Sequence, residues 1–300
     1  CKKMQDKLTE KIKGITTIRM SAISPELCER THFKFAVFGP YKPNHPIIPI
    51  QYFVGQFSVI MTKQQPKDVI VKGEDGNFYQ YLLKGHEDLR LDERIMQFFR
   101  LINSLLRKKS SLYSNFIQTI CVIPLSLGHG LVQWVSEAAT LRQIVEDYRI
   151  LHGINPLIEY DLANAISESN YDHLKSIQKM QILEWIFNDI PDTDIGNSFW
   201  LKAANAEAWL KRTSTFAIST AINSIVGYII GLGDRHPSNL LIDNKTGKTI
   251  HIDFGDCFEK AMHRKILPEV VPFRLTRMMV KAMGPTGVDG NLSQSIPAKN

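Results

Sequence analysis

Gly231-Leu-Gly-Asp-Arg-His-Pro-Ser-Asn-Leu-Leu-Ile-Asp243 is the densest polar cluster in this 300-residue sequence, and His251-Ile-Asp-Phe-Gly-Asp-Cys257 follows it closely. Between them, Leu240–Ile242 and Ile250–Phe254 bracket Asn244-Lys245-Thr246-Gly247, a turn signal that predicts a small hairpin. Upstream, from Thr140 on, the texture is mainly helical, with runs at Leu141–Leu151, Leu174–Ile190 and Ala206–Ile230. Further back, two strand-like runs, Gln118–Leu125 and Leu131–Val135, flank Gly128-His129-Gly130. Leu91–Leu106 then reads as one helix, with Ile95, Phe98, Phe99, Ile102, Leu105 and Leu106 as its apolar stripe. Acids crowd its start and Arg107-Lys108-Lys109 its end, the polarity a helix dipole favours. Before it come short apolar runs broken by Gly, Pro and Asn: Phe33–Phe38, Ile47–Val54, Phe57–Met61, Val69–Val71 and Phe78–Leu83. Glu74-Asp75-Gly76-Asn77 is the turn between the last two. An antiparallel sheet with one helix, a connector and a helical half describe a two-lobed α+β protein.

Composition narrows the class. Hydrophobic residues make up 44% and charged residues 22%, which excludes disorder, collagen or coiled coil for the whole chain. A net charge of +6 suits an anionic ligand but is too evenly spread to call for nucleic acid. Cys1, Cys28, Cys121 and Cys257 lie far apart with no Cys-x-x-Cys pair, which disfavours a disulfide scaffold or zinc site and fits a reducing compartment. No secretory leader is visible, and a start at Cys1 and a polar finish read as a piece of a longer chain. Thr213–Gly233 is uncharged and, at about twenty residues, long enough to cross a bilayer. Its many hydroxyls and Asn223 make a buried core helix the expected reading.

The cluster suits one kind of chemistry. Phosphoryl transfer from ATP needs a carboxylate near the acceptor hydroxyl, and a second carboxylate plus an amide to hold Mg²⁺ on the phosphates. Protein kinases supply these from Asp-x4-Asn in one loop and Asp-Phe-Gly in the next hairpin. Asp234 and Asn239 keep that spacing, and Asp253-Phe254-Gly255 follows across the predicted hairpin. The His-Arg-Asp order is absent, because Asp234-Arg235-His236 puts the histidine after the acid. Asp-Phe-Gly alone is a weak signal, and a lone His236 would more often pack or cap; the two loops in order reverse those odds.

The two loops together resemble the phosphatidylinositol 3- and 4-kinase superfamily, which holds lipid kinases and related protein kinases alike. Narrower matches resemble its target of rapamycin (TOR) branch. They are Leu82-Leu-Lys-Gly-His-Glu-Asp-Leu-Arg90, Asp92-Glu-Arg94, Val122-Ile-Pro-Leu125, Tyr171-Asp-His-Leu174, Gly227-Tyr228, Gly255-Asp-Cys-Phe-Glu259 and Pro272-Phe-Arg-Leu-Thr-Arg-Met278. The resemblance implies a bilobal protein-kinase-like α+β fold, with an antiparallel-sheet N-lobe over 16–132 and a mainly helical C-lobe over 133–300, incomplete at its end. Residues 1–15 would close a preceding helical, rapamycin-binding (FRB-like) domain.

The same resemblance implies roles. Lys84 ends the strand Phe78–Leu83, where its ammonium can reach the ATP phosphates, and Glu87 is similar to the acid that orients it. Asp92 resembles a carboxylate at the back of the nucleotide pocket. Trp134 and Val135 fall in the connector, where backbone groups can pair with adenine and the indole can pack on it. Leu241 and Ile252 would floor the adenine. Asp234 would orient the acceptor hydroxyl and take its proton, with His236 bonding the transferring phosphoryl group. Asn239 and Asp253 would hold Mg²⁺, or Mn²⁺ in its place. The chain departs from the branch at Gly55-Gln56, where serine is usual after the loop glycine, and at Ile120, where a tyrosine usually lines the pocket.

Three functions are compatible with these motifs. The leading one is an ATP-dependent serine/threonine protein kinase of TOR type in growth and nutrient signalling. Its implied partners are protein substrates, TOR-complex subunits and a rapamycin-binding immunophilin, with no specific nucleic acid and no transmembrane segment. Its implied place is the cytoplasm, extending to the nucleus or endomembrane surfaces. A phosphoinositide lipid kinase shares every catalytic part but needs a dense basic run after Asp253. Here Lys260, Arg264 and Lys265 are balanced by Asp256, Glu259 and Glu269. A non-catalytic kinase-like scaffold is disfavoured because Lys84, Asp234, Asn239 and Asp253 are all present.

Overall fold

A computed structural model describes residues 14, 16–39, 44–62, 64–109, 117–166, 173–264 and 269–289. The helix expected over 2–15 lies outside them, Gly14 excepted. The described chain divides into two compact units, with the change between Ser136 and Glu137 and with residues 117–118 grouped with the second.

The first unit is a sheet with a helix on it. Its elements are β1 (Thr17–Arg19), α1 (Met20–Ile23), α2 (Pro25–Glu29), β2 (Ile50–Phe53), β3 (Gln56–Val59), β4 (Lys67–Gly73), β5 (Phe78–Gly85), α3 (Arg90–Lys109), β6 (Val122–Ser126) and β7 (His129–Gln133). The strands run in the order β1-β3-β4-β5-β7-β6, with β2 also on β4, and every pair is antiparallel. Alternation along β4 turns Val69 and Val71 inward, where they meet Ile50, Tyr81, Leu131 and Phe33. The β4–β5 turn forms because Asp75 accepts the Asn77 amide at 3.1 Å while Gly76 takes φ +84°. Phe33–Phe38, expected as a strand, is broken by bends and makes one bridge, Ala36↔Pro49, with three backbone hydrogen bonds to residues 48–50. Its aromatic side chains cluster instead, with Phe33 edge-on to Phe53 at 5.3 Å.

Helix α3 buries Ile95, Met96 and Phe99, each worth roughly 1.5–3 kcal/mol when removed from water. The buried stripe is shorter than expected, since Leu105 is 54% exposed.

The second unit comprises β8 (Ala138–Thr140), α4 (Leu141–Leu151), α5 (Ile158–Ile166), α6 (Ser176–Asp189), α7 (Asp194–Leu201), α8 (Ala206–Ile229), β9 (Leu240–Asp243), β10 (Thr249–His251) and α9 (Arg277–Ala282). The expected hairpin is β9–β10, and β8 adds a third strand through Ala138↔Asp243, Ala139↔Ile242 and Thr140↔Leu241. Thr140 also caps α4, its hydroxyl accepting from the Gln143 amide at 3.0 Å. The core joins Leu141 and Ile144 of α4, Ile195 and Phe199 of α7, Phe216, Ala217 and Ala221 of α8, Leu240 and Ile242 of β9, and Met279 and Ala282 of α9.

The hydroxyls that interrupt α8 explain themselves here. The Thr249 amide donates to Ser219 Oγ at 2.9 Å, the Thr220 and Thr249 hydroxyls meet at 2.9 Å, and Asn223 Nδ2 donates to the Thr249 carbonyl at 3.2 Å. A buried polar seam therefore fastens α8 to β10, the strand that leads into Asp253. No helix among the described residues is long and apolar enough to cross a membrane.

A second buried polar feature is ionic. Arg149 of α4 donates Nε to Asp194 at 2.7 Å, and Nη1 and Nη2 to Glu159 at 2.6 and 2.5 Å. It thereby ties α4 to α5 and α7. Burial pushes the Glu159 carboxyl up, but the Arg149 hydrogen bonds, a backbone hydrogen bond and the charges of Arg149 and Arg277 together outweigh it and hold it below its ordinary 4.5.

Candidate active site

In the first unit, Lys84 sits one residue before the end of β5, paired with Gly130 of β7. A Cβ at Gly130 would stand 2.7 Å from both the Ile123 carbonyl and Leu89 Cδ1, so only glycine lets β7 pass here. Lys84 Nζ lies 3.3 Å from Glu87 Oε1, with both side chains largely covered. That oxygen makes no aligned hydrogen bond, so the contact is an ion pair that leaves the ammonium's donors to point elsewhere. Asp92 is buried in the first turn of α3. The Trp134 amide donates to the Gln80 carbonyl at 2.9 Å, whereas the Val135 amide bonds no described residue. Trp134 is 37% exposed. Val54 and Gly55 separate β2 from β3, which follow one another along β4; the Gly55 carbonyl accepts from the Met20 amide at 2.9 Å, and Gln56 opens β3 opposite Arg19. Ile120 is buried, its amide donating to Met96 Sδ at 3.4 Å.

In the second unit, the loop between α8 and β9 carries Asp234, His236 and Asn239, and the turn after β10 carries Asp253. Asp234 and Asp253 both hold left-handed backbone, φ 58° and 60°, a conformation uncommon outside glycine but tolerated best by Asp and Asn. Asn239 Nδ2 donates to the Asp234 carbonyl at 2.9 Å and lies 3.4 Å from Asp234 Oδ2. Its Oδ1 is then the atom turned away and available to a cation. The Ile252 amide donates to the Asn239 carbonyl at 3.2 Å, which ties the two loops together. The Ser238 amide donates to His236 Nδ1 at 3.2 Å, so a neutral ring carries its proton on Nε2, free to donate to an anion. Leu241 and Ile252 are half-buried; alternation along β9 sends Leu240 and Ile242 into the core and Leu241 to the other face.

Two residues without a role in the sequence reading shape this loop pair. Arg235 is buried and donates Nε to the Gly233 carbonyl at 2.9 Å, Nη1 to the Ile252 carbonyl at 2.9 Å and Nη2 to the Asp253 carbonyl. Its guanidinium also lies 5.6 Å from the Phe254 ring centre. Burial pushes its pKa down while Asp253 and Asp234 push the other way. Glu269 accepts the Asp234 amide at 2.7 Å. Neighbouring His251 is driven down to about 3 by burial and then by Arg235, so it is a neutral packing residue.

The donor set suits a cation held jointly with phosphate. Among the described residues no three His, Cys, Asp or Glu side chains gather into a metal cage. One carboxylate, Asp253, and one amide oxygen, Asn239 Oδ1, are what Mg²⁺ takes from a protein when phosphate oxygens and water complete its shell.

Comparison with known proteins gives this geometry its relatives. The model of the phosphatidylinositol 3- and 4-kinase family matches residues 78–298, which include both loops and Lys84. The chain belongs to that family. It is 44% identical to the serine/threonine-protein kinase TOR of Oryza sativa subsp. japonica over 286 residues, 95% of this chain and 12% of the rice protein. It is 42% identical to the serine/threonine-protein kinase mTor of Drosophila melanogaster over 286 residues, again 95% of this chain and 12% of the relative. Among solved structures, the FAT and kinase domain of CtTel1 superimposes with a TM-score of 0.74 at 26% identity, covering 88% of this chain and 19% of that one. The chain thus spans about an eighth of the length of these curated relatives. Its α+β architecture, antiparallel sheet plus helices, is the kinase-like fold of the family.

Proposed function

We propose that this chain is the catalytic region of a TOR-type serine/threonine protein kinase. The observation that carries the reading is the arrangement around Asp234: its amide held by Glu269, the Asn239 side chain on its carbonyl, His236 accepting the Ser238 amide at Nδ1, and the Asp253 carbonyl clamped by Arg235. TOR-named relatives matching over 95% of the chain support the branch. The first unit is then the N-lobe and the second the C-lobe.

In this reading Lys84, aligned by Glu87, engages ATP phosphates, and adenine contacts fall to the Val135 amide and Trp134 indole of the first unit and to Leu241 and Ile252 of the second. Asp92 backs the nucleotide site. Asp253 and Asn239 would hold Mg²⁺ or Mn²⁺, which when bound neutralises charge on the phosphates. Asp234 Oδ orients the acceptor hydroxyl and takes its proton as the phosphoryl group leaves ATP, and His236 Nε2 donates to that group.

The segment after Asp253 favours a peptide acceptor over a lipid. Lys260 pairs with Asp256 at 3.5 Å and Arg264 with Asp256 and Glu269, so the described cations there are already matched by acids. A phosphoinositide headgroup needs unmatched Lys or Arg. Phe258, Val270 and Val271 are instead 67%, 69% and 55% exposed, an apolar surface suited to a peptide. Protein substrates, TOR-complex subunits and a cytoplasmic location belong to the same reading.

The test is a side-by-side assay of the full-length chain with Mg²⁺–ATP, a Ser/Thr peptide and phosphatidylinositol vesicles, with Asp234→Asn as blank. Peptide turnover with negligible lipid turnover is expected. Comparable lipid turnover would reassign it as a lipid kinase, and turnover of neither as a scaffold.

A further inference from the structure

Arg264 follows the 3-10 turn Lys260–His263 and reaches back onto the catalytic loop. Its guanidinium pairs with Asp256, lies 3.4 Å from Glu269 Oε1 and comes within 3.7 Å of Asp234 Oδ1. Glu269 closes the circuit through its other oxygen, which accepts the Asp234 amide at 2.7 Å. Asp234 is therefore gripped at two points by one ion pair: at its amide by Glu269 and at its carboxylate by Arg264.

The backbone around this circuit is tightly docked. The Gly233 amide donates to the Asp256 carbonyl at 2.7 Å, the Phe258 amide to Ile230 at 2.7 Å and the Glu259 amide to Gly231 at 3.0 Å. A Cβ on Gly233 would stand 2.2 Å from Ala261 Cβ, so nothing fits between the segment and the loop. Across this contact, among the described residues, Arg264 is the one cation in ion-pair range of Asp234. Without it, three carboxylates, Asp234, Asp256 and Glu269, would crowd with Lys260 at Asp256 and the buried Arg235, whose guanidinium is engaged by backbone carbonyls, as the remaining cations, and mutual repulsion would turn Asp234 from its present rotamer.

We propose that Arg264 is a positioning residue for acceptor phosphorylation. It locks the segment after Asp253 to the Asp234 loop, so that the surface carrying the peptide and the carboxylate receiving its proton keep one fixed geometry. This rests on Asp234 being the group that receives the acceptor proton.

The experiment compares wild type, Arg264→Ala, Arg264→Lys, Glu269→Gln and the Arg264→Ala/Glu269→Gln double variant in the full-length chain. It measures peptide kcat and KM for ATP, with thermal melting as the folding control. Misplacing a reacting group by about 1 Å can lower a rate about a hundredfold, so kcat for Arg264→Ala is expected to fall about ten- to a hundredfold. KM for ATP should stay within about twofold, since the lost interaction acts on the acceptor side. Arg264→Lys should recover part of the rate, and the double variant should lose less than the product of the single losses. Should Arg264→Ala fail to fold, Arg264→Lys and Glu269→Gln carry the same kcat–KM comparison. An unchanged kcat, a raised kcat or an equal rise in KM for ATP would overturn the proposal, the raised kcat by showing that Arg264 shields Asp234. Asp234→Asn is run alongside: wild-type turnover in that variant would remove the kinase reading itself, whatever Arg264 does.

Discussion

Replacing Arg149 by methionine is expected to be among the most destabilising single changes in the helical unit. Arg149 makes four donations: to Asp194, twice to Glu159, and from Nη1 to the Pro156 carbonyl at 3.0 Å. Methionine keeps much of the stem volume and removes the charge. Glu159 is a third exposed and can rehydrate, so its share is about 0–1 kcal/mol. Asp194 is only 5% exposed and would be left as an uncompensated buried charge, which costs about 3–5 kcal/mol. Trp185, Trp200 and Trp209, three of the four tryptophans, lie in this unit, so urea unfolding followed by indole fluorescence reports on it. The expected result is a lower midpoint at unchanged slope. Adding Asp194→Leu should restore most of the loss, because an apolar replacement of the whole pair is often near neutral. The sign with pH is fixed by Glu159: its folded pKa lies below 4.5, so its pairing stabilises fully above that value and is lost as pH falls through the depressed pKa. The gap between wild type and variant should therefore narrow below about pH 4.5. A single-variant loss under about 1 kcal/mol, or a double variant as weak as the single, would refute the buried-charge argument.

Asp253→Asn should abolish phosphoryl transfer with circular dichroism and melting unchanged; retained turnover would remove Asp253 from the metal-holding role. Thr249→Val leaves the Thr220 hydroxyl buried without its partner and should cost about 1–3 kcal/mol in urea unfolding. A shift near zero there would mean the seam does not fasten α8 to β10. Gly233→Ala should cost about 1–3 kcal/mol by overpacking and lower kcat as well, since the loop must move off Ala261. Wild-type stability together with wild-type kcat would show that the loop yields without consequence.

Local chemistry was the legible part of this sequence. Leu141–Leu151 is a helix at the bounds its periodicity gives, because a capping threonine and a clean apolar stripe agree. The β4–β5 turn and the β9–β10 hairpin follow from their Asp, Asn and Gly residues. Lys84 with Glu87, and Asp234 with Asn239, stand close together as their sequence spacing allows. What escaped depends on partners far along the chain. Ala138–Thr140 is too short to announce a strand and exists because β9 lies beside it. Phe33–Phe38 has strand composition and bonds to residues 48–50, yet bends interrupt it and its rings pack on one another. Arg235 has no role in the sequence, and Arg264 and Glu269 count only toward a charge balance, until the fold sets them on backbone groups and carboxylates up to 35 residues away.

The left-handed backbone at Asp234 and Asp253 also bears on how such a domain could decay. At φ near +60° most side chains bring a steric penalty to the backbone, while asparagine and glycine bring little. A descendant released from selection for catalysis would therefore lose its acids along a biased path. Under the proposed kinase reading, Asp→Asn and Asp→Gly, each a single-nucleotide change, would remove the chemistry and spare the fold, whereas Asp→Val, equally close in the code, would attack both. Inactive descendants of this domain should accumulate the first two and be purged of the third, so that asparagine or glycine at 234 or 253 marks a kinase that has fallen silent while remaining folded.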